Sequence, residues 1–361
     1  MPDAARPPTR RVTLEEVARV AGVSRATVSR VVNGVASVDQ NIRQAVERAI
    51  TTTGYQPNLA ARSLVTRRAN AVALVLPDGD DVLGDPFFGR VLTGVLGALS
   101  ATSTHLVLVK IGPGGRERIV ADLRGGRLDG AILVHTNHND PLARQLTAAR
   151  FPVVLWGRPP RPMPITHVDV NQATGCALAA GHLVALGRNR IATITGRLDT
   201  PAGEDRLTGF RSALASLGRE LVSVEGAFTR ESGRSAMHRL LAEHPDIDAV
   251  FIASDLMAHG ALPVLRRHGR AVPADVAVVG FDDSSAAVHC DPPLTTVRQP
   301  VEDMAAELTR QLLRHINDPA APRNTVIFEP TLVVRQSAPH GETSTSSVDV
   351  ANGGLLDQSG G

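Results

Sequence analysis

Small polar and basic side chains gather between Ser24 and Asn33, where their types suit contacts with a nucleic acid. The guanidinium of Arg30 can donate two parallel hydrogen bonds to O6 and N7 of a guanine, which makes it the best candidate for reading a base. Arg25 can donate in the same way, whereas Ala26 offers only a methyl group, so we expect Arg25 to influence base choice more than Ala26. Four short polar side chains suit contacts with phosphate oxygens: Ser24, Thr27, Ser29 and Asn33. The alternative is that they cap the helix or are solvated on its surface.

The residues before this segment predict a short helix with a cap. Thr13 can accept a hydrogen bond from the first turn, and Glu16 three residues later completes a capping box. The adjacent carboxylates Glu15 and Glu16 therefore favour the positive end of a helix rather than acid–base catalysis. One face of the helix is apolar, with Leu14, Val17, Ala18 and Ala21 at positions i, i+3, i+4 and i+7.

A tight turn then leads into a second helix that carries the basic side chains. Gly22 suits the positive φ of such a turn, and Ser24 can cap the helix that follows. Val28, Val31 and Val32 form its apolar side, which leaves the arginines facing outward. This pattern indicates a helix-turn-helix, whose second helix fits the major groove of DNA, with a helical hairpin that only packs as the alternative.

Residues 12–57 are predicted as one small helical domain, whose third helix runs from Asn41 to Thr53. Residues 1–11 are rich in Pro and Arg, and residues 338–361 are rich in Gly and Ser. Because neither segment can bury much apolar surface, both are predicted to be disordered.

Charge is concentrated in the first 68 residues. They contain eleven arginines, no lysine and five acidic residues, so they carry +6, and the total of +2 leaves −4 for the rest of the 361-residue chain. This asymmetry suits a polyanionic partner at one end only.

The two cysteines have no short spacing, the start of the chain has no apolar secretion segment, and no run of about 18 apolar residues occurs. We therefore expect a protein of the reducing cytoplasm without contact to a membrane.

From Ala71 to Ser337, short apolar runs alternate with helical stretches. Such alternation predicts a doubly wound α/β architecture, and two similar sets of strands predict two lobes with a ligand crevice at the carboxyl ends of the strands. The amphipathic helix Val301 to Ile316 is expected to pack on the first lobe as the chain crosses back. The runs predicted as buried parallel strands are 71–76, 105–111, 130–135 and 152–156. The alternation resumes with the runs 190–195, 221–227, 248–253 and 275–280, and two further strands are predicted at 326–330 and 331–335.

No arrangement typical of catalysis or of a metal centre is recognisable in the sequence. His135 and His138 form a loop pair without further nearby ligands. The glycines at 112–115 lack the order of a dinucleotide-binding loop, and no Ser/His/Asp or Cys/His set has a recognisable spacing. We expect no metal, no cofactor and no enzymatic activity.

The head closely resembles that of the LacI/GalR family of transcription regulators. The resemblance lies in VTLEEVARVAGVSRATVSRVVNG (12–34), GYQPN (54–58) and ARSL (61–64). The body, residues 71–337, resembles the periplasmic sugar-binding proteins and the effector domain of the same regulators. Its motifs occur in the family order as DPFF (85–88), RLTGFR (206–211), SD (254–255), GFDD (280–283) and PLTTV (293–297).

The resemblance implies a hinge helix within residues 58–70, at Asn58 to Thr66. Such a short helix would become ordered only when two copies meet on the operator. Ala61 would allow close approach of the helices, and Leu64 would insert between base steps of the minor groove and kink the duplex. The alternative is an ordinary linker with one buried leucine. The residues expected to contact DNA are Thr13, Ser24, Arg25, Ala26, Thr27, Ser29, Arg30, Asn33, Asn58, Ala61 and Leu64.

The resemblance also implies an effector-binding role for Asp282 and Arg206. A carboxylate can accept from two hydroxyl groups and a guanidinium can donate through its planar fork, as a polyol requires. A structural salt bridge is the alternative for this pair. Further candidate contacts are Asp85, His135, Ser254 and Asp255, with Phe87 or Phe88 as an apolar wall.

Two positions depart from the family pattern. Gly157 stands where relatives often carry Asp, which removes one polar contact or leaves space for a larger ligand. Arg234 stands where an aromatic residue is common, and a second arginine near the cleft would favour an acidic or oxidised sugar.

The resemblance implies a homodimeric regulator of transcription, most often a repressor. Its affinity for a near-palindromic operator would be controlled by a small molecule, expected to be a sugar, that binds between the two lobes. Some relatives require a corepressor, so the sign of control stays open. A sugar-binding transport component would share the body but not residues 1–66, and an enzyme would require a catalytic constellation in the cleft.

Overall fold

The head is a bundle of three short helices. The computed structural model describes residues 12–32, 35, 37–55, 68–78, 82–112, 114–134 and 137–340, apart from the side chain of Leu83. Val17, Val28 and Val46 are fully buried and come one from each helix, so the helices share a small apolar core. The predicted small helical head is therefore confirmed. The helices are α1 (Leu14–Ala21), α2 (Arg25–Val32) and α3 (Gln40–Thr53).

The ends of the head helices have the caps that the sequence predicts. The hydroxyl of Thr13 accepts a hydrogen bond from the Glu16 amide at 3.3 Å, and the Glu16 carboxylate accepts one from the Thr13 amide at 2.8 Å. Gly22 ends α1 with φ 68°, in the left-handed region. The hydroxyl of Ser24 accepts from the Thr27 amide at 3.1 Å and so begins α2.

The first lobe of the body is a six-stranded parallel sheet with the order β11-β5-β4-β3-β1-β2. Its strands are β1 (Ala71–Leu76), β2 (His105–Lys110), β3 (Gly130–Leu133), β4 (Val153–Trp156), β5 (Thr166–Val170) and β11 (Thr325–Phe328). A 3-10 turn (Val82–Gly84) and the helices α4 (Pro86–Leu99), α5 (Gly115–Arg124) and α6 (Leu142–Ala148) connect them.

The second lobe repeats this plan with the order β12-β10-β9-β8-β6-β7, in which only β12 is antiparallel to its neighbour among the described strands. Its strands are β6 (Ile191–Thr195), β7 (Val222–Glu225), β8 (Ala249–Ile252), β9 (Ala277–Asp282), β10 (Thr295–Arg298) and β12 (Thr331–Val333). The accompanying helices are α7 (Gln172–Ala185), α8 (Pro201–Ser216), α9 (Arg230–Glu243), α10 (Asp255–Arg267) and α11 (Ser285–Val288).

Helix α12 (Val301–Asn317) follows the last parallel strand of the second lobe but packs on the first. It lies against α4 and against strands β3, β4 and β5, as its apolar stripe predicts. The two helices approach closely at Gly94, where a methyl group would overlap the carbonyl of Glu302. After α12 the chain adds β11 to the first sheet and β12 to the second, so the two lobes are linked by three crossings.

Three strand predictions differ from the structure. The apolar pattern does not predict β5 or β10, because Thr, His and Asp interrupt it in β5 and Thr and Arg interrupt it in β10. Strand β2 was expected to be buried, which is wrong, since Val107 is 40% exposed and Leu108 is 47% exposed. The reason is its place at the edge of the sheet, which an apolar run alone does not indicate.

At the C-terminal end of the body, Ala338 is buried in the second lobe, and residues 341–361 lie outside the described residues.

One buried histidine joins α12 to the first sheet. His315 is fully buried, and its Nε2 lies 2.7 Å from the hydroxyl oxygen of Thr166 at the start of β5. Burial, followed by the nearby charges of Arg323 and Arg314, lowers the pKa of His315 to about 4. The imidazole is therefore neutral in the native protein at neutral pH.

We predict that protonation of His315 destabilises the fold as the pH falls. Between pH 6.5 and about 4 the unfolded chain binds a proton that the native chain does not, so the stability is complete above this window and lost through it. In denaturant titrations across the window, His315→Gln should reduce the pH dependence of the free energy of unfolding by about 1–3 kcal/mol. His289→Gln, at an exposed histidine, should leave the dependence as in the wild type, and an unchanged slope in His315→Gln would contradict the prediction.

Candidate effector cleft and nucleic-acid interface

A large cleft lies between the lobes, where the carboxyl ends of the parallel strands meet. Its volume is about 1310 Å³, above the roughly 300–1,000 Å³ that is usual for small-molecule sites. Asp85 and Phe88 line it from the first lobe, and Phe228 and Arg230 line it from the second. The crevice that the α/β pattern predicts is therefore present, with both lobes contributing to it.

Asp282 and Arg206 form a buried pair next to this cleft. Nη1 of Arg206 lies 3.5 Å from Oδ1 of Asp282, and the two residues are 5% and 7% exposed. Gln299 donates to the same carboxylate oxygen at 2.6 Å, and Nε of Arg206 donates to Oε1 of Gln172 at 3.0 Å. The sequence places these residues on separate elements, and the fold brings them together.

The guanidinium of Arg206 also stacks on aromatic rings. Its central carbon lies 3.7 Å from the ring centroid of Phe281 and 5.8 Å from that of Phe228, which lines the cleft. Burial raises the pKa of Asp282, the charge of Arg206 opposes this, and the charge of Asp85 adds to it. The site thus combines a carboxylate, a planar donor and ring faces, the groups that bind sugars.

Asp85 contributes both to the fold and to the cleft wall. Its Oδ1 accepts from the Phe87 amide at 2.9 Å and caps α4, and burial raises its pKa. Phe88 lines the cleft, whereas Phe87 packs edge-on against Phe88 and Trp156 at 5.3 Å behind it. Of the two candidate phenylalanines, Phe88 is therefore the one in the wall, and Phe228 faces the same cleft from the other lobe.

Ser254 and Asp255 take part in internal contacts at the end of β8. The hydroxyl of Ser254 accepts from the Met257 amide at 3.3 Å and caps α10. Asp255 is fully buried, and its two oxygens accept from the Ser284 amide at 2.7 Å and the Thr296 hydroxyl at 2.5 Å. Burial raises the pKa of Asp255 well above its usual range. Their direct contact with a ligand stays a prediction, as does that of His135, which lies outside the described residues.

Gly157 and Arg234, the two positions that depart from the family pattern, differ in their surroundings. Arg234 is paired with Glu231 at 2.6 Å, and both line the cleft, so Arg234 adds no uncompensated charge there. Beside Gly157, Arg158 of the first lobe contacts α8 of the second. Its Nε and Nη2 each lie 2.7 Å from an oxygen of Asp205, a bridge between the lobes that sequence reasoning missed.

The outer face of α2 presents its basic side chains to solvent. Arg25, Ala26 and Arg30 are exposed, and Nε of Arg25 lies 2.9 Å from Oε1 of Glu15 on α1. Because an exposed ion pair contributes only about 0–1 kcal/mol, Arg25 can exchange Glu15 for a base or phosphate at little cost. Thr13, Ser24 and Thr27 engage in capping, and Ser29 is partly buried. The candidates outside the described residues are Asn33, Asn58, Ala61 and Leu64.

The described residues contain no group of three or more His, Cys, Asp or Glu that could hold a metal ion. In the same part of the chain, no helix has both the length and the apolar character required to span a bilayer.

A helix-turn-helix head joined to a two-lobed ligand-binding body defines a ligand-responsive DNA-binding protein. Residues 13–58 match the bacterial regulatory proteins of the lacI family, and residues 180–338 match a periplasmic binding protein-like domain. Over 338 residues the chain is 46% identical to the HTH-type transcriptional regulator CelR of Thermobifida fusca, covering 91% of this chain and 98% of that protein. The chain therefore belongs to the lacI family of bacterial regulatory proteins.

Another relative and two solved structures support the same family assignment. Catabolite control protein A of Priestia megaterium is 30% identical over 334 residues, which cover 90% of this chain and 99% of that protein. A complex of the transcriptional regulator CelR with cellobiose is 42% identical, covers 91% of this chain and 100% of that one, and has a TM-score of 0.72. The lac repressor dimer bound to operator and the anti-inducer ONPF has the same coverage, 27% identity and a TM-score of 0.78.

We predict that Arg30 reads a base. Arg30→Ala should relax discrimination at one base pair of each half-site by about 1–3 kcal/mol, because a bidentate contact to a base edge is lost. Selection of binding sites from a randomised DNA library measures this preference directly. Arg19→Ala, at an exposed arginine of α1, is the control and should weaken all sequences alike. An unchanged selected site for Arg30→Ala would rule out the base contact.

Proposed function

We propose that this protein is a dimeric transcriptional repressor whose head binds an operator and whose interlobe cleft binds a carbohydrate, with cellobiose or a related oligosaccharide as the first candidate. The observation that carries the proposal is the buried Arg206–Asp282 pair beside Phe281, behind an interlobe cleft, in a chain with a helix-turn-helix head. Aromatic faces and a carboxylate–guanidinium pair suit the apolar and hydroxyl sides of a sugar ring. The role requires neither a cofactor nor catalysis.

The size of the cleft supports a ligand larger than one sugar ring. A volume of about 1310 Å³ exceeds what a monosaccharide fills. The relative CelR was solved with cellobiose, a disaccharide, and shares 42% of its residues with this chain in the aligned structure. The ligand would act by changing the relation of the two lobes and so weakening operator binding. We place this activity in the cytoplasm, together with the DNA.

A homodimer fits this proposal because a near-palindromic operator requires two heads related by a two-fold axis. The first lobe has an apolar edge that could form the contact, with Val107 and Leu108 on β2 and the half-exposed Leu96 on α4. The edge of β2 also has backbone groups without a neighbouring strand in the described sheet. The lac repressor neighbour was solved as a dimer bound to operator.

We predict that Leu108→Lys dissociates the dimer. A charge at this exposed apolar position should not disturb the core, but it should oppose burial of the edge against a second copy. Analytical ultracentrifugation should show monomers at micromolar concentration, and operator affinity should fall with it. Leu217→Lys, at a leucine of the second lobe that is 43% exposed, serves as the control. A stable Leu108→Lys dimer would mean that this edge is not the interface.

We predict that Asp282→Asn reduces cellobiose affinity about 10- to 100-fold, because a charged acceptor is replaced by a neutral amide. Titration calorimetry measures the affinity, and operator binding without sugar should remain as in the wild type. Asp291→Asn, at an exposed aspartate of the same lobe, is the matched control. Normal sugar binding by Asp282→Asn would remove this residue from the site. If wild-type protein binds neither cellobiose nor maltose nor other oligosaccharides, the effector class itself is wrong.

A further inference from the structure

Arg90, on α4 of the first lobe, contacts the segment of the second lobe that carries Asp282. Its side chain is 20% exposed, and its Nη1 donates to the carbonyl of Asp282 at 2.8 Å. Its Nη2 donates to the carbonyl of Gln299 at 3.2 Å, just before α12 begins. Arg90 therefore links a helix of one lobe to the backbone around the effector site in the other.

A carboxylate fixes the orientation of this guanidinium. Nε and Nη2 of Arg90 donate to the two oxygens of Glu302, in the first turn of α12, at 2.7 and 2.6 Å. This bidentate contact leaves Nη1 directed at the carbonyl of Asp282. A lysine would retain the charge but could not make both contacts with one fixed geometry, because it lacks the planar fork.

The backbone that Arg90 holds is strained. Asp282 has φ 114° and Asp283 has φ 51°, a region that residues other than glycine seldom adopt. Such conformations persist only when the surroundings hold them, and they concentrate at ligand sites and switches. The contacts of Arg90 to the Asp282 carbonyl are part of what holds this one.

Asp282 therefore has its carboxylate in the buried pair beside the cleft and its carbonyl on Arg90. The Asp282 carboxylate contacts the side chains of Gln299 and Arg206. A hydroxyl group of a bound ligand would compete with these two side chains for the carboxylate or would change their orientation. A change at this carboxylate that relaxes the backbone of Asp282 would move the carbonyl that Arg90 binds. In the first lobe, α4 and α12 are packed in close contact at Gly94. Because there is no free space between them, a displacement of the Arg90–Glu302 pair would move the whole of helix α4.

We propose that Arg90 is a positioning residue that couples the state of the Asp282 segment to the placement of α4. The proposal rests on the function proposed above, since the coupled event is the binding of a carbohydrate at Asp282. Of the residues that line the cleft, Asp85 caps α4 and Phe88 lies in its first turn, and the exposed Leu96 lies further along the same helix. Arg90 would thus transmit the ligand state from the second lobe to the apolar edge of the first.

The test compares Arg90→Lys with Arg118→Lys, a charge-conserving change at an exposed arginine of α5. In the full-length wild type, saturating cellobiose should change operator affinity by a factor of about 5–150, the usual range of allosteric coupling. In Arg90→Lys this factor should fall below about 3, while the affinities for cellobiose alone and for operator alone stay within about 3-fold of the wild type. Glu302→Gln should reproduce the loss of coupling, and Arg118→Lys should not.

Comparing the two separate affinities with the coupling factor distinguishes a positioning role of Arg90 from a purely structural one. A merely structural Arg90 would lower thermal stability and both affinities and leave their coupling factor unchanged, which would overturn the proposal.

A ligand-free measurement keeps the test valid if no carbohydrate proves to be the effector. Hydrogen exchange of the full chain should show amides at residues 282–285 and in the first turns of α4 exchanging about tenfold faster in Arg90→Lys than in the wild type. This factor corresponds to the loss of about one hydrogen bond to a charged group. Exchange in both segments as slow as in Arg118→Lys would refute the coupling role of Arg90, whether or not cellobiose binds.

Discussion

The carboxylate of Asp282 is removed from water at the carboxyl end of β9, and a buried charge of this kind is tolerated only when partners surround it. Two partners contact the carboxylate itself, Arg206 from α8 and the Gln299 side chain from the crossover before α12, while Arg90 of the first lobe donates to the main-chain carbonyl of the same residue. Each partner must be held in place by its own element. The arrangement of both lobes around the cleft therefore depends on this one residue, whose carboxylate is bonded within the second lobe and whose carbonyl is bonded by the first.

The topology makes such an arrangement possible. In each lobe the carboxyl ends of parallel strands face the crevice, so loops distant in the sequence supply its walls together. The chain crosses between lobes three times, and α12 returns to pack on α4. Contacts that span the lobes, such as Arg158 with Asp205, therefore depend on the relative placement of the lobes, which is the property that a bound ligand can change.

Local features were accessible from the sequence where the physical cause is local. The capping box of Thr13 and Glu16, the left-handed turn at Gly22 and the cap at Ser24 each involve residues within three or four positions, and all are present. Strand β2 shows the limit of such reasoning. Its apolar run resembles that of a central strand, and only its neighbours in the sheet decide that it lies at an edge.

By itself, the sequence determined the helix-turn-helix head, the alternation of strands and helices in the body, and the motifs that contain Arg206 and Asp282, because periodicity, capping and turn chemistry act over short distances along the chain. Only the tertiary structure decided that Ser254 and Asp255 point into internal contacts, that Phe88 rather than Phe87 lines the cleft, and that Arg90 reaches the backbone of Asp282. Arg90 and Asp282 are almost two hundred positions apart. Their contact arises from the packing of two lobes, and no pattern within either segment encodes it.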